Sequence, residues 1–382
     1  MLKPTFLVAG YVCLDIHPTI PSSARMEELL VPGKLMEIGA ARVALGGAVS
    51  NTGIALHRLG AAVRLAGKLG DDDFGRMALS IFKSVSPTLA NEMLICHGGA
   101  TSYSLCVQPS GQDRAFWCCP GENATFVSSD ISPALLASSD HLHFGYPPLM
   151  AAIRENDGAE LADLFHRAKK QGLSTSLDMT PPDPASEAGK LDWWKILSRV
   201  LPDVDFFVPS LDETVFMVEP ALFDRVREAT AKGVPLGGLT PREISRLCDR
   251  LLELGAAVVM IKLGKEGAYL KTTTNHARLA SCGRGTRIDP GKWLGQACHA
   301  RCFSVPVACT TGAGDTTIAG LLGAAGRGLA PEEALRMAVA VGSTLVENPK
   351  GVRALPDFET IHRRFASIDS PRDPAPLFPD EI

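Results

Sequence analysis

A glycine-rich segment around residue 312 combines an acid with a loop suited to binding an anion. Gly312 and Gly314 flank Ala313 directly before Asp315, and small and apolar residues follow. This pattern predicts a loop followed by a helix. Glycine lets the backbone of such a loop come close to a ligand, and the first turn of the helix has free N–H groups that can bind it. Those groups and the helix dipole favour a phosphate. Since a carboxylate would repel that phosphate, Asp315 is better suited to accept a proton from an attacking hydroxyl.

The amino-terminal half supplies a second acid and a second pair of glycines. Residues 6–10 predict a buried parallel strand, and the chain continues from there to Asp15. A carboxylate can accept hydrogen bonds from two neighbouring hydroxyls of a polyol. Farther along, Gly46 and Gly47 precede Asn51, whose amide group both donates and accepts hydrogen bonds. These residues offer hydrogen-bonding groups that suit hydroxyls.

Composition limits the classes of partner. The 382 residues are 46% hydrophobic and 21% charged, with a formal net charge of −4. This balance is typical of a soluble globular protein and offers no basic footprint for nucleic acid or a membrane. No stretch approaches the roughly 18 apolar residues of a membrane helix, and the first residues lack the apolar run of a signal peptide. We therefore expect a cytoplasmic protein with no nucleic-acid or membrane partner.

Alternating strand and helix patterns must position these residues. From His141 onwards, apolar strands alternate with helical segments, which predicts a parallel sheet covered on both faces. We predict an α/β fold with three layers, α-β-α, a central and mostly parallel sheet, and a small β lid that contains a hairpin. The predicted segments are a core of residues 1–16, 43–97 and 126–366, a lid of 17–42 and 98–125, an insertion in the core at 271–302, and a disordered tail at 367–382.

Two segments carry a resemblance to a known family. The residues Cys309-Thr310-Thr311-Gly312-Ala313-Gly314-Asp315 resemble the second signature of the ribokinase-like carbohydrate kinases, the phosphofructokinase-B type, which reads Asp-Thr-x-Gly-Ala-Gly-Asp. The segment 46–60 resembles the first signature, and the resemblance extends from Val8 to about Pro356. It implies a ribokinase-like fold and an ATP-dependent kinase. The resemblance also implies that Asp315 is the catalytic base. It implies that the backbone of Gly312, Ala313 and Gly314 forms the anion hole.

The resemblance assigns further residues to the substrates and to magnesium. The residues implied to hold the sugar under the lid are Asp15, Gly46, Gly47 and Asn51. The residues implied to bind the nucleotide are Lys262, Gly264, Gly267, Thr311, Ser343 and Asn348. Asp178 corresponds to an acid at the edge of the family's active site. Glu213 is implied to orient Mg²⁺, usually through water, and this ion needs few carboxylates.

Three positions depart from the patterns of the family. Cys309 replaces an acid that is associated with a monovalent-cation site, so dependence on potassium stays open. Ser210 replaces an asparagine three residues before Glu213. Ala48 stands where members acting on ribose and on several sugar phosphates commonly carry lysine, and this favours an uncharged acceptor.

More than one function is compatible with the sequence. The first is transfer of the γ-phosphate of ATP to a hydroxymethyl group of an uncharged sugar. A nucleoside kinase of the same family would place Phe116 or Trp117 against a base. A non-catalytic sensor of nucleotide or sugar is suggested by Cys309 and Ser210, and is disfavoured by the intact Asp315. We also expect a homodimer formed through the lid.

Overall fold

The computed structural model describes residues 3–21, 26–29, 31–109 and 115–366. The predicted tail, residues 367–382, lies outside the described residues. The described residues also do not include the turn of the predicted hairpin, 110–114, or two parts of the proposed lid, 22–25 and 30.

Strands and helices alternate through most of the described chain. The strands are Thr5–Gly10 (β1), Cys13–Thr19 (β2), Gly39–Gly46 (β3), Ala62–Ala66 (β4), Lys68–Gly70 (β5), Leu94–Cys96 (β6), Tyr103–Val107 (β7), Ala115–Cys119 (β8), His141–Gly145 (β9), Ser174–Asp178 (β10), Phe206–Phe207 (β11), Val258–Lys262 (β12), Ala268–Thr272 (β13) and Ala297–Ala300 (β14). The α-helices are Met26–Leu29 (α1), Ala48–Arg58 (α2), Asp73–Val85 (α3), Pro133–Ala137 (α4), Ala151–Lys170 (α5), Trp193–Val200 (α6), Leu211–Val218 (α7), Pro220–Ala231 (α8), Pro241–Glu253 (α9), His276–Ala280 (α10), Pro290–Trp293 (α11), Ala313–Ala325 (α12), Pro331–Val346 (α13) and Phe358–Ala366 (α14).

The large sheet has the strand order β14-β13-β12-β11-β10-β9-β1-β4. All pairs from β12 to β4 are parallel, whereas β13 pairs antiparallel with both β12 and β14. The prediction of a mostly parallel sheet is therefore confirmed. Strand β14 lies within the proposed insertion, 271–302, and forms an edge of this sheet.

Helices cover both faces of the large sheet. In β1 the side chains of Phe6 and Val8 join one apolar cluster, which includes residues of α12 and α13. The side chains of Leu7 and Ala9 point to the opposite face and join a second cluster with α5 and α9. Burial of one large apolar side chain stabilises the folded state by roughly 1.5–3 kcal/mol, so the apolar clusters on both faces stabilise the sheet. The predicted three-layer α/β fold is confirmed.

A separate sheet, with the order β3-β2-β7-β8, lies outside the large one. Strands β7 and β8 pair antiparallel, which confirms the predicted hairpin. Strand β2 runs from Cys13 to Thr19, so the proposed boundary between residues 16 and 17 falls inside it. The division into core and lid segments stays a prediction. Among the described residues, no helix is both long and apolar enough to cross a membrane.

Candidate active site

Polar residues collect at one edge of the large sheet. Asp178 and Lys262 are the last residues of β10 and β12, and Tyr146 directly follows β9. Because carboxyl ends of parallel strands meet at the same edge, these three side chains are brought together although they are far apart in sequence. Helix α12 begins at this edge with Ala313 and carries Asp315 in its first turn.

The predicted loop-to-helix segment is confirmed. Gly312 precedes α12 with φ 78°, a left-handed conformation that favours glycine. The N–H of Ala313 donates to the carbonyl oxygen of Thr310 at 3.2 Å, and the N–H of Thr316 donates to that of Gly312 at 2.9 Å. Of the predicted anion-hole amides, the one at Ala313 therefore already has an acceptor within the turn.

The carboxylate of Asp315 is buried and held by side chains from two other elements. Its exposed fraction is 3%. The Tyr146 hydroxyl donates to both carboxylate oxygens, at 2.9 and 3.0 Å, and the Asn51 amide donates to Oδ2 at 3.1 Å. Burial raises the pKa of Asp315, while the charge of Lys262 and these donors oppose the rise. The group is fixed in position and can accept a proton.

Tyr146 is a functional candidate that the sequence analysis missed. Its backbone is left-handed, with φ 67° and ψ 41°, which is uncommon for an aromatic residue and costs about 1–3 kcal/mol. The conformation allows the side chain to reach Asp315, 169 positions away. No motif marks this residue, and its position after the apolar strand β9 is the only signal in the sequence.

One lysine lies among three buried acids. The Lys262 ammonium donates to Asp178 at 2.6 Å, and the side chains are 13% and 1% exposed. Burial opposes the charge of Lys262, but Asp178 and Glu213 raise its pKa above the ordinary value. A Cβ added at Gly314 would lie 3.6 Å from the Lys262 Nζ, so this ammonium is adjacent to the glycine loop.

Glu213 has a structural contact in addition to its predicted role. Its Oε2 accepts a hydrogen bond from the Ser210 N–H at 2.6 Å, and the Ser210 hydroxyl accepts one from the Glu213 N–H at 3.4 Å. This reciprocal cap begins α7. Serine therefore serves as a helix cap at the position where the family pattern has asparagine. Burial also raises the pKa of Glu213, opposed by Lys262.

A cavity of about 650 Å³ lies in front of the glycine loop. The predicted site residues in its lining are Glu213, Lys262, Gly264, Gly312, Ala313, Gly314 and Asp315. Tyr146 and Asp178 also line it. The volume and the convergent charged groups suit a nucleotide.

Four predicted nucleotide residues are not among the described residues that line this cavity, and three of them have other contacts. Gly267 packs against β14, because a Cβ added at Gly267 would lie 1.9 Å from the carbonyl oxygen of Ala300. The Ser343 hydroxyl accepts a hydrogen bond from the N–H of Phe303 at 3.3 Å. Asn348 bonds to the backbone of the loop that follows α13. These contacts are structural, and the nucleotide role of the three residues stays a prediction.

A smaller cavity, of about 90 Å³, is lined in part by Asn51, the residue that donates to Asp315. Asp15 and Asn51 line it together with Thr311 and Cys309. Asn51 thus contacts Asp315 and also faces the predicted sugar site. Thr311, predicted to bind the nucleotide, lines this cavity instead.

The first glycine pair has packing reasons of its own. A Cβ added at Gly46 would lie 2.3 Å from Oδ2 of Asp15, so only glycine leaves room for this carboxylate. Gly47 has φ 85°, and an added Cβ would lie 2.4 Å from the carbonyl oxygen of Tyr11. Both glycines shape the Asp15 site through the backbone.

Comparisons with known proteins identify the family of the chain. The family model described as pfkB family carbohydrate kinase matches residues 11–357. The 2-dehydro-3-deoxygluconokinase of Bacillus subtilis is 25% identical over 335 residues, covering 86% of this chain and 89% of that protein. A probable fructokinase-7 of Arabidopsis thaliana is 23% identical over 373 residues, covering 94% and 92%.

Solved structures share the fold. An Arabidopsis thaliana ribokinase complexed with ribose and ATP superposes with a TM-score of 0.71 at 18% identity, covering 96% of this chain and 100% of that one. A Xylella fastidiosa fructokinase with bound ATP gives 0.68 at 17% identity, covering 96% and 99%. With its ribokinase-like fold and a family match over most of its length, this chain belongs to the pfkB family of carbohydrate kinases.

Proposed function

We propose that this sugar kinase transfers the γ-phosphoryl group of ATP to a hydroxymethyl group of its acceptor, with Asp315 as the general base. The observation that carries the proposal is that Asp315 lines the larger cavity and accepts a hydrogen bond from Asn51, which lines the smaller one. The larger one suits a nucleotide, and the smaller one contains Asp15, a carboxylate able to accept hydrogen bonds from sugar hydroxyls. Relatives named as kinases of fructose and of 2-dehydro-3-deoxygluconate support a sugar acceptor.

The residues around Asp315 supply positioning and charge, which phosphoryl transfer mainly requires. Asp15 orients the acceptor, and Asp315 takes the proton of its hydroxyl. The acceptor oxygen forms a bond to the γ-phosphorus as the bond from that phosphorus to the oxygen of ADP breaks. The Lys262 ammonium and the amides at the start of α12 stabilise the charge on the moving group.

The acids of the larger cavity suit a magnesium ion that accompanies the nucleotide. Asp178 and Glu213 are both buried in its wall, and burial raises the pKa of each although the charge of Lys262 opposes the rise. Mg²⁺ usually takes one or two carboxylates and completes its shell with phosphates and water. When bound, it would neutralise phosphate charge.

Turnover over a panel of acceptors tests the proposal. Release of ADP is measured with ATP, Mg²⁺ and separate sugars, sugar acids, sugar phosphates and nucleosides. We expect release that depends on a sugar-type acceptor. Turnover with inosine or adenosine alone would favour the nucleoside kinase, and binding of nucleotide with no ADP release for any acceptor would favour the sensor.

The Tyr146→Phe variant should require a higher pH for activity. Its hydroxyl donates to the ionised form of Asp315, so removing the hydroxyl raises the pKa of the base. Because the base must be ionised, the acidic limb of the kcat profile should move upward by about 1–2 pH units. The measurement is kcat against pH beside Tyr269→Phe, which removes a buried hydroxyl bonded to Ser245. An acidic limb that stays in place would contradict the assignment.

Two substitutions of Glu213 should distinguish its role in capping α7 from the role of its charge in binding Mg²⁺. Glu213→Gln keeps a side chain that can complete the cap of α7 but loses the carboxylate, so we expect nearly unchanged stability and a higher Mg²⁺ concentration for half-maximal rate. Glu213→Ala loses both, and its free energy of unfolding should fall by about 0.5–2 kcal/mol. The measurements are Mg²⁺ titration of the rate and urea unfolding. An unchanged Mg²⁺ requirement in Glu213→Gln would remove Glu213 from the metal site.

Other properties follow from the same proposal. The exposed lid residues Phe116 and Trp117, 52% and 42% exposed, support a homodimer formed through this sheet. We retain a cytoplasmic location as part of the proposal. The question of a monovalent cation rests on Cys309, which lines the smaller cavity.

A further inference from the structure

Basic side chains line the space next to the proposed sugar site. Arg42, Arg58, Lys350 and Arg353 line a cavity of about 550 Å³, and the described part of its lining contains no carboxylate. Three of them, Arg42, Lys350 and Arg353, also line the smaller cavity that contains Asp15. We name these three residues the basic rim. Because both cavities share the rim, a ligand that contacts Asp15 could extend along it.

The backbone that carries two of the rim residues is anchored. The Asn348 Oδ1 accepts a hydrogen bond from the N–H of Lys350 at 3.0 Å, and its Nδ2 donates to the carbonyl oxygen of Ala354 at 3.2 Å. The Arg58 guanidinium donates to the carbonyl oxygen of Arg353. This loop therefore presents Lys350 and Arg353 to the same cavity from a fixed backbone. Arg42 reaches that cavity from β3 of the lid.

The side-chain charges of the basic rim are not paired at contact distance in the described chain, although the charge of Arg42 opposes the rise that burial causes in the pKa of Asp15. The side chains of Arg42, Lys350 and Arg353 make no hydrogen bond or ion pair with any described residue. Like charges that line one cavity repel each other, and an anion between them relieves the repulsion. The protein as a whole has a formal net charge of −4, so this local excess of positive charge is not a consequence of composition.

We propose that the basic rim binds an anionic group of the acceptor, either the carboxylate of a sugar acid or the phosphate of a sugar phosphate. The inference rests on the proposed function and names the class of its acceptor. Two guanidinium groups match either anion, since their fixed N–H donors can form paired hydrogen bonds with carboxylate or phosphate oxygens. The rim thus favours a charged acceptor over the uncharged one that Ala48 predicts.

Matched acceptors test the proposal with the wild-type protein. ADP release is compared for fructose and fructose 6-phosphate, and for glucose and gluconate. Titration calorimetry without nucleotide measures the binding of the same four compounds. We expect the charged member of one pair to be favoured, by about tenfold or more in kcat/KM or in affinity. The gluconate pair reports a carboxylate and the phosphate pair reports a phosphate ester. Equal or weaker binding of both charged members overturns the proposal.

Single substitutions locate the effect. Arg42→Gln and Arg353→Gln should each weaken binding of the preferred charged acceptor by about 10–100-fold, seen mainly in KM, with a change below about threefold for its neutral counterpart. The control is Arg242→Gln, at an exposed position on α9. Equal losses of binding for charged and neutral acceptors would overturn the proposal that the basic rim binds the anionic group. Charge-dependent binding that needs Arg42 and Arg353, without phosphorylation of any acceptor, would leave the rim in place and refute the proposed function alone.

Discussion

The Asp315→Asn variant is expected to bind both substrates and to lose turnover by about 10²–10⁴-fold, the usual contribution of a general base. The amide has nearly the same shape as the carboxylate, but it cannot take the proton of the acceptor hydroxyl. The measurement is kcat from ADP release, with substrate affinities measured separately by calorimetry. Retained binding together with lost turnover would show that the side chain acts in the chemical step.

This variant should remain folded. Asp315 is 3% exposed, and its burial raises its pKa, so the folded protein gains little from holding this group as an anion. A thermal midpoint close to that of the wild type is therefore expected. The matched control is Asp212→Asn, because Asp212 lines the same cavity but is exposed. A rate for Asp315→Asn near the wild-type value, or an equal loss in Asp212→Asn, would exclude Asp315 as the base.

Local patterns were sufficient to predict the fold and the glycine loop. The apolar strands, their alternation with helices, and the residues around Asp315 are short-range features, and each has a direct structural meaning. The edge of the sheet then follows, because parallel strands bring Asp178 and Lys262 together at their carboxyl ends. Asp15 lies on β2 of the smaller sheet, so its position relative to Asp315 depends on how the two sheets pack.

The contacts that complete the site could not be predicted in this way. The hydroxyl of Tyr146 reaches Asp315 only because its own backbone is left-handed, and nothing in a single sequence announces that conformation. Asn51 lines the smaller cavity, but its hydrogen bond to Asp315 depends on how α2 packs against α12. Long-range side-chain contacts of this kind depend on packing and not on local pattern.

Some motif residues also have a role in packing that the motif itself does not indicate. Gly46 leaves room for the carboxylate of Asp15, and Gly267 leaves room for β14. Asn348 fixes the loop that carries Lys350 and Arg353. The basic rim was not recognised in the sequence because Arg42 lies more than 300 positions before the other two residues.

The second large effect is expected for Lys262→Met, which should lower the free energy of unfolding by about 3–5 kcal/mol at a pH where Asp178 is ionised. Methionine preserves much of the apolar stem, but it leaves Asp178 buried without its partner at 2.6 Å. Lys262 opposes the rise in the pKa of Asp178, so the ion pair stabilises the fold while this acid is ionised. Burial raises the pKa of Asp178 to about 8, so the deficit should shrink as the pH falls through about 8 and Asp178 becomes protonated. Urea unfolding on either side of the pKa of about 8 of Asp178 measures it, with the exposed Lys265→Met as the control.

The double variant Lys262→Met/Asp178→Asn separates the structural role of the lysine from its role in catalysis. Removing both charges leaves no buried acid without its partner, so most of the lost stability should return, and the cycle of single and double variants gives the coupling energy. Turnover should not return, because the ammonium beside Gly314 is still absent from the phosphate loop. If turnover recovered together with stability, Lys262 would serve the fold alone. If stability did not recover, the pair with Asp178 would not be what holds this edge of the sheet.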